Sequence, residues 1–119
     1  MEHHIIMDLN PNIIKPFTDE AVTVHAAKVG GKRNLRIIEI PDDDNNVFVY
    51  LVKRPTRTVI QAMTAAGAKN NTDGVAKILL GCILEGDLEA IENDGSMYLA
   101  MIENITTLVG GAKGEIKKL

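Results

Sequence analysis

Residues 34–57 read NLRIIEIPDDDNNVFVYLVKRPTR, which is two apolar runs separated by a polar turn. Residues 34–40 and 46–53 are rich in β-branched and aromatic side chains, and these favour β-strands. The intervening PDDDNN consists of residue types that turns prefer. The sequence therefore predicts an antiparallel β-hairpin with a loop longer than a tight turn.

The end of this stretch, KRPTR at residues 53–57, indicates a change from strand to helix. Pro55 suits a first helical position, because proline has φ near the helical value and no N–H to lose. Thr56 or Arg54 is then the N-cap of a helix that ends near Gly67. Cations are unfavourable at the positive end of the helix dipole by about 0.3–1 kcal/mol. This mismatch makes Arg54 and Arg57 candidate contacts to a partner.

Other helices are predicted on both sides of this region. Thr18 is a suitable N-cap for a short helix that ends at Gly30, although VTVHA at residues 22–26 also suits a strand. Residues 71–86 form the clearest amphipathic helix, which ends at Gly86. Its apolar positions are Val75, Ile78, Leu79, Cys82 and Ile83. Asp94 begins a last helix with the stripe Met97, Met101, Ile105, Leu108 and Ala112.

The domain organisation follows from this order of elements. We expect residues 1–17, interrupted by Pro11 and Pro16, to be a partly ordered arm, and residues 18–119 to be a single domain. Strands grouped apart from helices predict an α+β fold. Its parts are the arm and a short helix, an antiparallel β-hairpin, and three C-terminal helices packed on the sheet.

Composition narrows the classes of protein to which the chain can belong. The net charge of -3 argues against a dedicated nucleic-acid binder, whose affinity comes from many cations. The single cysteine, Cys82, excludes an internal disulfide and suits a reducing compartment. No signal peptide and no apolar run of membrane-spanning length is recognisable. We expect a soluble cytoplasmic protein, in the host cytoplasm if it is encoded by a phage, with no membrane partner.

Metal and cofactor sites are not predicted. Asp42, Asp44 and Asn46 are spaced like the first ligands of a calcium loop, but the required Gly and Glu are replaced by Val47 and Lys53. His3, His4 and His25 have no cysteine or carboxylate at a zinc spacing. No glycine-rich phosphate loop is present.

Catalytic residues are not predicted either. Cys82 falls in an apolar stripe, where a buried cysteine behaves as a small hydrophobic residue rather than a nucleophile. We therefore expect no catalytic residues, no metal and no cofactor, which means that the protein is not an enzyme.

The charged residues are distributed unevenly. Seven of the thirteen cations lie in two segments that the hairpin brings together: Lys28, Lys32, Arg33, Arg36, Lys53, Arg54 and Arg57. Five acids precede the last helix: Glu85, Asp87, Glu89, Glu92 and Asp94. A solvated surface is the simplest interpretation, and recognition of a protein partner or of a second copy is the alternative. The candidate partner-binding residues are Lys53, Arg54, Arg57, Glu85, Asp87 and Glu89. Nucleic acid is a weaker alternative, because only Phe48 and Tyr50 are offered for base stacking.

Four stretches of the C-terminal two-thirds carry a family resemblance: VYLVKRPTR, VIQAMTAA, AKILLGCILEGDLEAIENDGSMYLA and LVGGAKGEIKKL. In element order and landmarks this part resembles the small tail assembly chaperones of long-tailed bacteriophages and prophages. The resemblance implies a non-enzymatic factor that engages the tape-measure or tail-tube protein during virion assembly and keeps it soluble. That family also produces a longer, frameshifted form. The alternative is a small cytoplasmic interaction or regulatory domain that is not of phage origin.

Overall fold

The computed structural model describes residues 10–110 and 114–119. Within these ranges the chain has five α-helices and one four-stranded sheet, which confirms the predicted α+β class. The strands are β1 (Asn12–Ile14), β2 (Leu35–Pro41), β3 (Asn46–Lys53) and β4 (Ile83–Glu85). The helices are α1 (Asp19–Val29), α2 (Arg57–Ala68), α3 (Thr72–Leu80), α4 (Leu88–Asn93) and α5 (Gly95–Val109), with a 3-10 turn at Lys32–Asn34.

β3 lies at the centre of the sheet. β2 pairs with it in antiparallel fashion along its whole length, from Leu35 opposite Lys53 to Pro41 opposite Val47, so the predicted hairpin is confirmed. The second edge of β3 is divided between two short strands. β1 pairs in parallel with residues 46–48, and β4 pairs in antiparallel fashion at Leu51 and Val52.

Side chains alternate between the two faces of β3, as expected for a strand. Phe48, Tyr50 and Val52 belong to the larger core cluster, together with buried residues of β2, α3, α4 and α5. Leu51 belongs to a smaller cluster with Leu35 and Ala26. Helices therefore cover both faces of the hairpin, and α1 packs on the face opposite α5.

The N-caps explain where the helices begin. Thr18 Oγ1 accepts a hydrogen bond from the Ala21 N–H at 3.2 Å, and Asp94 Oδ1 accepts from the Ser96 N–H at 2.9 Å, as predicted. Thr56, and not Arg54, is the cap of α2, since its Oγ1 accepts from the Val59 N–H. No helix in the described part of the chain is long and apolar enough to span a bilayer.

The prediction of one helix over residues 71–86 is wrong beyond Leu80. The chain turns at Gly81, the Cys82 N–H bonds to the Leu79 carbonyl at 3.0 Å, and residues 83–85 continue as β4. Cys82 and Ile83 continue the helical apolar pattern in the sequence, but Cys82 is buried in a turn and Ile83 is partly buried in a strand. Pairing with β3 satisfies backbone groups at a sheet edge that would otherwise lack partners.

The structure also contains a strand and a short helix that the sequence does not predict. Part of the predicted arm, residues 12–14, is the strand β1, and residues 1–9 lie outside the described residues. The last helix ends at Val109, while Ala112 and Lys113 fall outside the described residues. Residues 114–119 have no regular secondary structure. A short additional helix, α4, begins at Leu88 with Asp87 as its N-cap, so four helices follow the hairpin in the described residues.

Candidate functional site

A basic cleft of about 530 Å³ lies between the end of α1 and the connection from β3 to α2. Three cations line it: Lys28, Lys53 and Arg54. The remaining lining residues are Val29, Asn34, Pro55 and Thr56. The cleft therefore combines cationic heads with a wall that is partly apolar.

Backbone hydrogen bonds hold the two sides of the basic cleft together. The Arg54 N–H donates to the Asn34 carbonyl at 2.9 Å, which extends the pairing of β2 with β3 by one residue. The Asn34 side chain donates from Nδ2 to the Val29 carbonyl at 2.8 Å, at the end of α1. Asn34 thus positions α1 relative to the β3–α2 connection, which brings Lys28 to the same cleft as Lys53 and Arg54.

The end of β3 beside the basic cleft is also bonded to the residue that precedes β4. The Lys53 N–H donates to the Cys82 carbonyl at 2.9 Å. Pro55 follows directly and directs the chain into α2, where Thr56 is the cap. Because the contacts are backbone bonds, the Lys53 and Arg54 side chains remain available for a ligand.

The basic cleft carries uncompensated positive charge. Among the described residues, no carboxylate oxygen lies within 4.0 Å of the charged groups of Lys28, Lys53 or Arg54. Lys53 and Arg54 are partly buried, so their charges are less screened than those of fully exposed side chains. A carboxylate or a phosphate is the chemical group that such a cleft favours.

The remaining cations lie outside this cleft. Arg57 is exposed at the first residue of α2 and does not line the cleft. Lys32 and Arg36 line a separate hollow beside β2. The Arg36 guanidinium donates to the carbonyls of Arg33 and Leu35, at 2.9 and 2.7 Å. The seven cations are therefore near in the fold but form more than one surface.

Two of the three candidate acids have internal contacts. His25 Nε2 donates to Glu85 Oε2 at 2.8 Å, which joins α1 to β4. Asp87 caps α4, since its Oδ1 accepts from the Ala90 N–H at 3.2 Å. Glu89 is exposed and has no ion-pair partner among the described residues. The His25 contact had no local signal in the sequence, because its partner lies sixty residues further along the chain.

Packing shifts the pKa values of two buried titratable groups. Burial raises the pKa of the Tyr50 phenol to about 12, and the nearby Asp87 charge adds to this effect. The Tyr50 O–H donates to the Asp87 carbonyl at 2.7 Å. Burial likewise raises the pKa of the Cys82 thiol, although the positive charge of Lys53 opposes it. Both groups are therefore protonated at neutral pH.

The acidic hairpin loop is a hydrogen-bonded turn. Asp42 Oδ1 accepts from the N–H groups of Asp44 and Asn46, each at 2.9 Å, and Oδ2 accepts from Asn46 Nδ2 at 2.9 Å. The Asn46 side-chain bond is the main reason why the pKa of Asp42 is lowered. Among the residues that the structure describes, no three His, Cys, Asp or Glu side chains are grouped so that they could hold a metal.

Comparison with protein-family models, with curated proteins and with solved structures found no match to this chain. The geometry of the basic cleft and the resemblance in the sequence are therefore the two indications of function.

Proposed function

We propose that the protein is a non-enzymatic binding factor whose basic cleft receives an acidic segment of a protein partner. The observation that carries this proposal is the convergence of Lys28, Lys53 and Arg54 on one cleft without a carboxylate within 4.0 Å among the described residues. Complementary charge at such a site gives specificity and accelerates association more than it adds affinity.

A protein segment suits the cleft better than a nucleic acid. Val29 and Pro55 line the cleft, and they offer contacts to the apolar parts of side chains. Phe48 is 9% exposed and Tyr50 is 0% exposed, so neither aromatic that the hairpin provides is free to stack on a base. The net charge of -3 also opposes the binding of a polyanion far from the cleft.

The resemblance to tail assembly chaperones supports a specific class of partner. In this proposal the partner is a tape-measure or tail-tube protein, and the chain keeps it soluble until the tail polymerises. No chemical step is required, since binding alone delays self-association of the partner. An interaction domain outside the phage setting would use the same cleft for a different partner.

Co-expression with the tape-measure or tail-tube protein encoded by the same genome tests the proposal. We expect a soluble complex that weakens as salt concentration rises, because partly exposed charges are screened. A partner whose solubility is unchanged by this protein would refute the tail assembly role.

Substitutions test the cleft itself. Lys53→Ala combined with Arg54→Ala should weaken partner binding about 2- to 30-fold, because two ion pairs of about 0.2–1 kcal/mol each contribute about 0.4–2 kcal/mol together. Lys69→Ala is a matched control, because it removes a cation from the opposite end of α2. Arg57→Ala shows whether the contact extends beyond the cleft. Equal binding by the double variant and the Lys69→Ala control would contradict the assignment of the cleft, provided that circular dichroism shows both to be folded.

A further inference from the structure

An apolar groove of about 480 Å³ lies on the helical side of the protein. It shares no lining residue with the basic cleft. It is formed by α3, α4 and the start of α5. Its apolar lining residues are Ala76, Leu80, Leu88, Ile91 and Tyr98. Leu88 is 54% exposed, so a large apolar side chain of this groove is in contact with water.

Three charged residues complete the lining of the apolar groove. They are Asp73, Lys77 and Glu92, and all three are exposed. Within the described part of the chain, none has an oppositely charged group within 4.0 Å. The groove therefore presents an apolar floor together with two unpaired negative charges and one unpaired positive charge.

The C-terminal segment, residues 115–119, has the complementary pattern. Ile116 and Leu119 have relative exposures of 104% and 127%, so both apolar side chains lie fully in water. Lys117 and Lys118 lie between them, and Glu115 precedes them. The only ion pair of this segment among the described residues is the exposed contact of Lys117 with Glu115 at 3.3 Å.

We infer that the apolar groove receives the C-terminal segment of a second copy of this chain. In this arrangement Ile116 and Leu119 contact the apolar floor, and the two lysines face the acids Asp73 and Glu92. Glu115 then faces Lys77, so each charge of the groove meets an opposite charge.

The placement of the segment favours a second copy over the same chain. In the structure residues 114–119 lie outside their own groove, and all of them are exposed. Reciprocal exchange between two copies fills two grooves with two segments in one closed symmetric pair. The two contacts then reinforce each other, because the second forms within an existing complex. This inference is independent of the basic cleft.

Sedimentation velocity over a concentration series is the first test. The wild-type chain should change from monomer to dimer as concentration rises. Ile116→Asp combined with Leu119→Asp should weaken dimerisation at least about tenfold, since it removes both apolar anchors. Val24→Asp is the matched control, because Val24 is an apolar residue of α1 with 53% exposure and does not line the groove. It should leave dimerisation unchanged.

Charge reversal is the second test. Lys117→Glu with Lys118→Glu should weaken dimerisation, and adding Asp73→Lys with Glu92→Lys should restore it at least in part. A chain that stays monomeric at every concentration would overturn the inference. So would docking of the segment into its own groove, seen as fluorescence energy transfer between labels on the segment and on α3 in the monomer. Dimerisation that is insensitive to all of these substitutions would show that another surface is responsible.

Discussion

Gly86→Ala should destabilise the fold strongly, because two separate features of this position require glycine. Gly86 connects β4 to α4 with φ of 134°, a region that residues with a Cβ rarely adopt. A Cβ built there would also overlap the Tyr50 ring: it would lie 2.9 Å from Cε2 and 3.0 Å from Cγ, with Cδ2 closer still. Tyr50 is 0% exposed and its O–H is bonded to the Asp87 carbonyl, so the ring has no free direction in which to move.

The size of the effect follows from these two terms. The sparsely populated backbone conformation contributes about 1–3 kcal/mol. Forcing an extra methyl group into a packed core contributes about 1–3 kcal/mol. We expect a loss of about 2–6 kcal/mol in the free energy of unfolding, out of about 5–15 kcal/mol for a typical domain. With a slope of about 2 kcal/mol per molar urea, the midpoint should fall by about 1–3 M.

Urea unfolding followed by circular dichroism measures this loss. Gly95→Ala is the control, since no heavy atom lies within 4 Å of a Cβ at Gly95, and it should change stability by less than about 0.5 kcal/mol. In a Tyr50→Leu background the cost of Gly86→Ala should fall toward the backbone term alone. A Gly86→Ala variant within about 1 kcal/mol of the wild type would refute the steric argument.

Two further predictions concern the buried polar groups. Tyr50→Phe should cost about 1 kcal/mol, because it leaves the Asp87 carbonyl without the phenol at 2.7 Å, and chemical denaturation measures it. The Tyr50 pKa is about 12 against an ordinary value of 10.0, so the folded state favours the neutral phenol. Its contribution is therefore complete below pH 10 and is lost as pH rises toward 12, and the stability difference between wild type and Tyr50→Phe should shrink over that range. A constant difference would contradict the assignment. The Cys82 thiol, 0% exposed, should react with a thiol reagent at least about 100-fold more slowly in the native state than in urea. Rapid native reaction would show that the turn after α3 opens readily.

Much of the fold could be predicted because it follows from local rules. The hairpin follows from β-branched runs on either side of a polar turn. The starts of α1 and α5 follow from Thr18 and Asp94, whose side chains bond within three residues. Such contacts are visible in any short window of the sequence.

The edge strands could not be predicted in the same way. β1 and β4 have three residues each, and both exist because β3 offers unpaired backbone groups at one edge. Their own residues carry no strand period long enough to recognise. At Cys82 and Ile83 the apolar pattern even favours a continued helix, but the chain turns there because β4 pairs with β3.

The candidate site was predictable only in part. Lys53 and Arg54 stand out in the sequence as cations beside a proline, whereas Lys28 joins them because Asn34 bonds to the end of α1. Asn34 carries no recognisable signal in the sequence, although its carbonyl and its side chain each form a hydrogen bond that holds the cleft together. Roles of this kind depend on which segments meet in space.

The divided edge of β3 has a consequence for the order of folding. One part of the edge is closed by residues 12–14, which are synthesised before β3, and the other by residues 83–85, which are synthesised after it. A nascent chain can therefore form the hairpin and pair β1 with it early. The pairing of Leu51 and Val52 with β4 must follow the synthesis of α2 and α3. The same pairing brings the Cys82 carbonyl to the Lys53 N–H, so the basic cleft is completed in the same late step. We therefore expect the cleft to acquire its final shape only once the C-terminal half of the sequence has folded.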